Sequence, residues 1–334
     1  FLIIPELAGD SLESADTISM DRTAVVRARA LDGNEWSPIN EATFIVGSKP
    51  TAKNLVVSEI MYHPEPDGLA EYIELMNVSD SVTLDLAGVK FTNGIDFDFT
   101  GSSVTSLAPG ERVLVVRDLA AFELAYGEGL PVAGVFENST GLSNKGEKLK
   151  LEDSSNSTIK EFSYNDKLPW PEAADTLGYS IVLRAPGQNL DPSEPTHWRA
   201  SVAPGGTPGS SDGTLLAGNP TDDLDGDGLN ALLEHALGTS DNDATQSGPP
   251  SASRIVIDGI LYDSFTYTVK EVADDVRTSV ETTTDLQNWS NNPDDFVDLI
   301  VTPNGDGMVT RTIRLAKPAL VDDKRFFRVK VELR

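Results

Sequence analysis

The chain has 334 residues, a length that corresponds to two or three domains of about 150 residues each. It carries 26 basic and 53 acidic residues, and the net charge of −27 argues against binding to nucleic acid or to an anionic membrane surface. The absence of cysteine excludes disulfide bonds, thiolate zinc sites and cysteine nucleophiles. No run of 18 or more apolar residues is present, so membrane insertion through a helix is not expected.

Most of the chain shows the alternation of apolar and polar residues that is typical of β-strands. Residues 25–30, 112–116, 148–151 and 326–331 have this pattern, and clusters of Gly, Pro, Asn and Asp separate them. Short strands with such turns predict antiparallel sandwiches. We therefore predict a mainly β fold, with tandem immunoglobulin-like β-sandwiches.

Two segments have helical periodicity instead. Residues 118–126 predict a short helix that places Leu119 and Phe122 on one face. Residues 229–237 place apolar side chains at i, i+3, i+4, i+7 and i+8, and Gly238 follows in the usual position of a C-terminal cap. The second segment therefore predicts a helix that ends at Gly238.

The sharpest change of composition lies between residues 200 and 253. This stretch holds eight acidic residues and 14 Gly or Pro, and it has no Lys or Arg. Such a shift is typical of linkers around a small acidic unit. Four segments are predicted: a partial β-sandwich at 1–48, an immunoglobulin-like domain at 53–212, a calcium-binding loop–helix at 219–244 and a C-terminal β-sandwich at 252–334. Because the chain starts without methionine and inside a domain, we expect it to be a piece of a longer protein.

The acidic stretch contains one motif with strict spacing. Asp223, Asp225, Asp227, Gly228 and Glu234 fit the pattern D-x-D-x-D-G-x5-E at every specified position. Calcium takes six to eight oxygen ligands, and carboxylates at alternate positions converge on one point while the glycine permits a sharp turn. The motif predicts an EF-hand-like Ca²⁺ site.

The predicted ligands are the carboxylates of Asp223, Asp225, Asp227 and Glu234 and the backbone carbonyl of Leu229. Asp241 and Asp243, which follow the helix, are weaker candidates that could add ligands or bind a neighbouring ion. We expect the ion to act as a structural clamp and not as a signalling switch.

The alternative interpretation is a solvated acidic loop in which Asp227 caps the helix. The loop–helix resembles the calcium repeats of dockerins and thrombospondin type 3 modules over about 24 residues.

A second resemblance covers the largest segment. Its motifs lie at residues 56–64, 71–77, 84–88 and 107–111, and the region closes with Trp198 and the sequence Gly-Thr-Pro-Gly at 206–209. In this order the motifs resemble the bacterial lamin-tail domain over about residues 53–212. The resemblance implies an immunoglobulin-like sandwich that serves as a non-catalytic module of large extracellular proteins.

The two ends of the chain carry weaker resemblances. Residues 25–30, 34–37 and 41–44 are similar to the end of a β-sandwich related to the C-terminal domain of chitobiases. Residues 252–334 resemble C-terminal β-domains of large secreted bacterial proteins. Neither resemblance implies an activity.

Three glutamates and two tryptophans allow two interpretations each. Glu59, Glu71 or Glu74 could line a second cation or ligand site, or each could be bonded to backbone amides at a strand edge. Trp170 and Trp198 could form a platform for sugars, or they could close a hydrophobic core.

No catalytic residue is predicted. The sequence contains neither a G-x-S-x-G elbow nor a P-loop, and Glu71 and Glu74 fall on opposite faces of one strand. We expect a secreted or cell-surface segment for binding, adhesion or spacing, stabilised by Ca²⁺, monomeric, with an extracellular protein or polysaccharide as partner. The alternative is a carbohydrate-binding accessory region of a larger secreted or cell-surface enzyme.

Overall fold

The computed structural model describes residues 2–4, 12–13, 24–44, 47–246, 250–304, 306–320 and 324–334. Within them the fold is mainly β, as the strand pattern predicts. None of the helices among these residues is long and apolar enough to cross a membrane. Of the predicted N-terminal segment 1–48, residues 1, 5–11, 14–23 and 45–46 lie outside the described residues.

The N-terminal strands form one antiparallel sheet and one small hairpin. They are β1 (Leu2–Ile4), β2 (Leu12–Glu13), β3 (Ala24–Arg29), β4 (Leu31–Asp32), β5 (Glu35–Trp36) and β6 (Asn40–Phe44). The sheet has the order β2-β1-β3-β6, and β4 pairs with β5. Residues 25–42 are all half-buried or exposed, so this part of the sheet has no closed core of its own.

The next region has two main sheets that face each other across a core. Its strands and helices are β7 (Leu55–Met61), β8 (Tyr72–Asn77), β9 (Leu84–Asp85), β10 (Lys90–Asn93), β11 (Ile95–Asp98), β12 (Ser106–Leu107), β13 (Arg112–Val116), α1 (Leu119–Tyr126), β14 (Val132–Val135), β15 (Lys148–Glu152), β16 (Thr158–Ser163), α2 (Ala173–Thr176), β17 (Ile181–Leu183) and β18 (Trp198–Ala200). One sheet has the order β14-β13-β8-β7-β17-β18 and the other β11-β10-β15-β16. Short 3₁₀ turns lie at Pro186–Gln188 and Pro195–His197.

The six-stranded sheet is buried on both faces. Ile73 and Leu75 point into the main core, where Val115 and Val113 lie directly opposite them on β13. On the other face, Tyr72 packs with Phe122 of α1 at 5.8 Å between ring centroids. The alternation in β8 therefore serves two cores and not one core and solvent.

Helix α1 confirms the prediction for residues 118–126. Asp118 caps it, because its carboxylate accepts a hydrogen bond from the backbone N–H of Ala121 at 2.9 Å. The predicted face is confirmed for Phe122, which is fully buried, while Leu119 is partly exposed.

Trp170 and Trp198 belong to the main core. They are 6% and 2% exposed, and the indole N–H of Trp198 donates to the carbonyl of Pro192 at 2.9 Å. The core interpretation is confirmed, and a sugar platform at these two side chains is wrong because their faces are covered.

The C-terminal region is a second sandwich with a helix packed against it. It contains α3 (Ala231–Leu237), β19 (Ser251–Ile257), β20 (Ile260–Lys270), β21 (Val276–Thr283), β22 (Phe296–Pro303), β23 (Met308–Leu315) and β24 (Phe326–Leu333), with a 3₁₀ turn at Pro293–Asp295. One sheet has the order β19-β20-β23-β22, and the other pairs β21 with β24. Phe265 and Phe327 stack between the two sheets at 5.1 Å.

Candidate functional site: an acidic loop and a buried carboxylate cluster

The acidic loop at 223–229 is folded around its own aspartates. Gly226 and Gly228 have φ angles of +76° and +96°, which non-glycine residues rarely adopt. The N–H of Gly226 donates to Asp223 at 2.8 Å, and the N–H of Leu229 donates to Asp227 at 2.7 Å. Each aspartate therefore fixes the turn that follows it, which is why alternate acids with intervening glycines form this loop.

These turns bring three of the predicted ligands together. Asp223, Asp225 and Asp227 each offer a carboxylate oxygen, and the three oxygens lie within 4.8 Å of one another. Asp225 is half-buried and the other two are exposed. Leu229 lies at the end of the loop, directly before Asn230, the residue that caps α3.

Glu234 reaches the loop from α3 and is 1% exposed. One carboxylate oxygen accepts from the hydroxyl of Thr239 at 3.1 Å, whereas Oε2 is buried without a hydrogen-bond partner. Asp225 Oδ2 is also buried and unpartnered. Burial, followed by the nearby Asp241 and Asp225 carboxylates, raises the pKa of Glu234 above its ordinary value, although the Thr239 hydroxyl acts in the opposite direction.

The two weaker candidates are placed differently. Asp241 accepts a hydrogen bond from the N–H of Leu224 at 3.1 Å, so it lies against the loop. Both oxygens of Asp243 are instead engaged within its own turn, by Thr245 and by the amide of Gln246. The structure therefore brings Asp241 toward the cluster and keeps Asp243 in a separate turn.

Helix α3 begins two residues later than its apolar pattern predicts. Asn230 is the cap, because its side chain accepts from the N–H of Leu233 at 3.0 Å. The alternative in which Asp227 caps this helix is wrong, since Asp227 bonds to Leu229 instead. The predicted end is confirmed: Gly238 has a φ of +76°, and its N–H donates to the carbonyl of Glu234 at 2.7 Å.

The loop–helix is attached to the C-terminal sandwich. Ala236 packs with Ala273 and Val276 in a small hydrophobic cluster. The imidazole Nε2 of His235 lies 2.9 Å from a carboxylate oxygen of Asp275. A change at the loop can therefore reach the sandwich through α3.

A second group of acids lies inside the preceding region, on β7 and β8. Glu59 is 1% exposed and accepts from the hydroxyls of Tyr72 at 2.6 Å and Ser180 at 2.5 Å and from the N–H of Thr207 at 2.9 Å. Burial is the main cause that raises its pKa, and these three donors oppose it.

Glu74 lies directly opposite Glu59 and is also 1% exposed. It accepts from the hydroxyl of Ser58 and from the N–H of Gly209, both at 2.7 Å, and Arg112 Nε lies at 3.0 Å. Burial, and next the charge of Glu59, raise the pKa of Glu74 to about 8.

Glu71 is held in a third environment. Its carboxylate accepts from the N–H of Leu142 at 2.8 Å and pairs with Arg117 at 2.5 Å. For these glutamates the interpretation as acceptors of backbone amides is confirmed. Their expected position at a strand edge is wrong for Glu59 and Glu74, because β7 and β8 are interior strands of the six-stranded sheet.

A buried arginine joins the two sandwiches. Arg199, with a fully buried side chain, donates to Asp274 at 2.7 and 2.8 Å and to Asp212 at 2.6 Å. Nearby, Arg184 pairs with Glu271. Burial opposes ionisation of Glu271, but the charges of Arg184 and Arg311 lower the pKa of this carboxyl group to about 2. Sequence reasoning missed this cluster because Arg199 lies 75 residues from Asp274 and Arg184 lies 87 residues from Glu271. A weak signal was the position of Arg199 between Trp198 and Ala200.

Residues 48–166 match the family model of the Lamin Tail Domain. The match covers about a third of the chain and includes β7 through β16. It confirms the lamin-tail resemblance for this segment, starting slightly before residue 53 and ending well before residue 212. No curated protein and no solved structure matches the chain. The match does not extend to the loop–helix or to the N-terminal sheet, so those resemblances stay predictions.

Proposed function

We propose that the chain is a non-catalytic binding and spacing segment of an extracellular protein, and that Ca²⁺ bound at the acidic loop stabilises its C-terminal half. The match of residues 48–166 to the lamin-tail family supports a binding or structural module of immunoglobulin-like fold. The ligands of the ion are Asp223, Asp225, Asp227 and Glu234 and the carbonyl of Leu229, with Asp241 beside them.

The observation that carries the calcium proposal is the pair of unpartnered oxygens. Asp225 Oδ2 and Glu234 Oε2 are both buried and accept no hydrogen bond. A buried acceptor without a partner costs about 1–3 kcal/mol, and more if it is charged. A hard cation that takes six to eight oxygens satisfies such acceptors and removes the repulsion between the three clustered aspartates.

A structural role fits the way in which the site is attached. Glu234 is part of α3, and α3 packs against the C-terminal sandwich through Ala236. Ion binding therefore fixes the start of the helix relative to the loop. Loops of this kind in extracellular modules bind calcium with dissociation constants of about 10⁻⁴–10⁻³ M, which matches a permanent clamp in a calcium-rich medium.

Thermal unfolding with calcium and with chelator tests the proposal. At a calcium concentration of a hundred times the dissociation constant, we expect stabilisation by about 2.7 kcal/mol. Asp225→Ala should abolish the shift. The matched control is Asp80→Ala, which removes an exposed aspartate from the lamin-tail region and should leave the shift unchanged. Equal shifts in wild type and Asp225→Ala, or no shift in wild type, would overturn the proposal.

The carbohydrate-binding alternative has less support. Trp170 and Trp198, the two side chains considered as a platform for sugars, are both buried in the core. A glycan array probed with the full chain tests it, and it predicts binding that persists after calcium is removed.

A further inference from the structure

The residues that follow β18 form a strap across the lamin-tail sheet. The strap, residues 205–211, begins where the N–H of Gly205 donates to the carbonyl of Gly178 at 2.7 Å. Two of its backbone N–H groups donate to buried carboxylates: Thr207 N–H to Glu59 at 2.9 Å and Gly209 N–H to Glu74 at 2.7 Å. A stretch that its composition marks as a linker is thus bonded to the face of the sheet.

The carboxylates under the strap are an unusual pair. Glu59 and Glu74 are direct cross-strand neighbours, and each is 1% exposed. Like charges directly opposite each other in a sheet are destabilising, and burial strengthens the effect because little water screens them. The strap itself is part of the cover that excludes this water.

Gly206 shows how closely the strap approaches. Its φ is +73°, and a methyl group at this position would clash with the hydroxyl of Tyr72 and with a carboxylate oxygen of Glu59. Only a residue without a side chain allows this contact. The strap is therefore fitted to the carboxylate pair and does not merely pass over it.

A cavity of about 10 Å³ lies next to the pair, which is space for about one water molecule. Glu59, Glu74 and Ser58 line it from the sheet, Ser210 and Ser211 from the strap, and Asp274 from the second sandwich. The strap therefore forms part of the wall of the cavity beside the carboxylates.

The charged groups that face the pair come from several elements. Arg112 on β13 lies against Glu74, and Tyr72 on β8 donates to Glu59. The charge of Glu59 in turn acts on Tyr126 of α1, and Asp212 acts on Glu59. Asp274 borders the cavity but is neutralised by Arg199. One cation, Arg112, therefore faces two carboxylates, so the pair is most stable when it retains one proton.

We propose that the strap is a pH-sensitive latch, closed while the Glu59–Glu74 pair holds a proton and opened when the pair loses it to solvent. Ionisation of both groups places two negative charges side by side under a cover that leaves space for about one water molecule. Lifting the strap admits water to both carboxylates and relieves this repulsion. Burial is the largest cause of the raised pKa of both groups, and it outweighs the N–H donors of Thr207 and Gly209, which lower the pKa values.

Opening has a consequence for the junction of the two sandwiches. The strap leads directly into Asp212, which pairs with Arg199, and into Thr214, whose N–H donates to the carbonyl of Val272 at 2.7 Å. A lifted strap removes the support on the lamin-tail side of this connection. Alkaline pH should thus loosen the junction before it unfolds either sandwich.

Hydrogen exchange of the full chain between pH 6 and pH 9 tests the latch. The readout is the protection of the Thr207 and Gly209 amides after division by the intrinsic exchange rate at each pH. With a pKa of about 8 for Glu74 in the closed state, we expect protection to fall by at least tenfold over this range. In Glu74→Gln the fall should be smaller than in wild type, because the pair can no longer carry two charges.

Two further variants keep the test decisive. Glu59→Gln removes the other member of the pair and should also flatten the pH dependence if Glu74→Gln does not fold. Glu71→Gln neutralises a nearby buried glutamate that bonds Leu142 and not the strap, so it should leave the pH dependence at Thr207 and Gly209 unchanged. Protection that is constant from pH 6 to pH 9 in wild type overturns the latch, as does an equal fall in wild type and in both pair variants.

Discussion

The two acidic clusters of this molecule satisfy their carboxylates in opposite ways. Glu59 and Glu74 lie in the middle of a sheet and accept hydrogen bonds from serine, tyrosine and backbone donors of the protein. Asp225 and Glu234 lie in a loop and at a helix, and each keeps one buried oxygen without a partner. Every carboxylate of the first cluster therefore has donors from the protein, whereas the second keeps the two open acceptors on which the calcium proposal rests.

The junction cluster shows what the loop lacks. Asp212 and Asp274 are also buried acids, but Arg199 lies between them and donates to both. At the junction, the guanidinium of Arg199 supplies the positive charge that, in our proposal, Ca²⁺ supplies in the loop. The comparison teaches that the number of acidic residues in a cluster is a poor guide to ion binding. What matters is whether donors of the protein already satisfy the carboxylates.

Removal of the built-in cation should have the largest effect. Arg199→Met leaves Asp212 and Asp274 buried without their partner, which typically costs about 3–5 kcal/mol. Urea unfolding of the full chain measures the loss. Lys148→Ala, which breaks an exposed pair with Glu161, is the control and should cost no more than about 1 kcal/mol. A cost below 1 kcal/mol for Arg199→Met would contradict the view that this arginine stabilises the junction.

The pair under the strap should make stability depend on pH. The pKa of Glu74 is about 8 in the folded chain and near 4.5 in the unfolded chain, so the folded chain binds more protons between these values. This contribution to stability is fully present below about pH 4.5 and is lost as the pH rises through about 8. Since one pKa unit corresponds to about 1.4 kcal/mol, we expect a decline of a few kcal/mol.

Urea unfolding at several pH values between 5 and 9 measures this decline. Glu74→Gln should flatten the curve over that range. Parallel curves for wild type and variant would show that another group causes the pH dependence.

The Glu59–Glu74 pair and the acidic loop can be compared directly through one glycine in each. Gly206 and Gly226 both have a φ near +75°, but a methyl group clashes with Tyr72 and Glu59 only at position 206. We expect Gly226→Ala to cost about 1 kcal/mol in chelator for backbone strain alone. Gly206→Ala should cost about 2–3 kcal/mol, because the crowded site must also rearrange. Equal costs in urea unfolding would mean that the strap is not tightly fitted.

The smallest expected effect concerns the start of α3. Asn230→Ala removes the cap that accepts from Leu233 and should cost about 1 kcal/mol in chelator. Asp227→Ala should cost less under the same conditions, because Asp227 bonds within the loop. A larger loss of stability for Asp227→Ala than for Asn230→Ala, measured by thermal unfolding, would indicate that Asp227 caps the helix.

Local patterns were enough for much of the architecture. Alternation in 112–116 and 148–151 predicts strands that the structure contains, and the glycine after residue 237 ends a helix as predicted. The regular spacing of Asp223, Asp225 and Asp227 likewise predicts the cluster that forms, because turns of two residues bring alternate side chains together. Each of these features depends on contacts within a few residues of the chain.

Features that depend on distant partners were not predictable in the same way. A β-bulge between Val57 and Glu59 puts Val57 in the main core and leaves Glu59 with Tyr72 on the other face. Residues two positions apart in a regular strand lie on the same face, so the pleat alone would place Val57 and Glu59 together. Only the pairing with β8 reveals the shift.

The sequence by itself determined the β class, the lamin-tail segment and the three converging aspartates of the loop. The tertiary structure decided which acids were already satisfied: Glu59 and Glu74 by a strap 135 to 148 residues away, and Asp274 by an arginine 75 residues away. The physical reason is that a carboxylate's need for a cation depends on the donors around it. Those donors come from segments that only folding brings together.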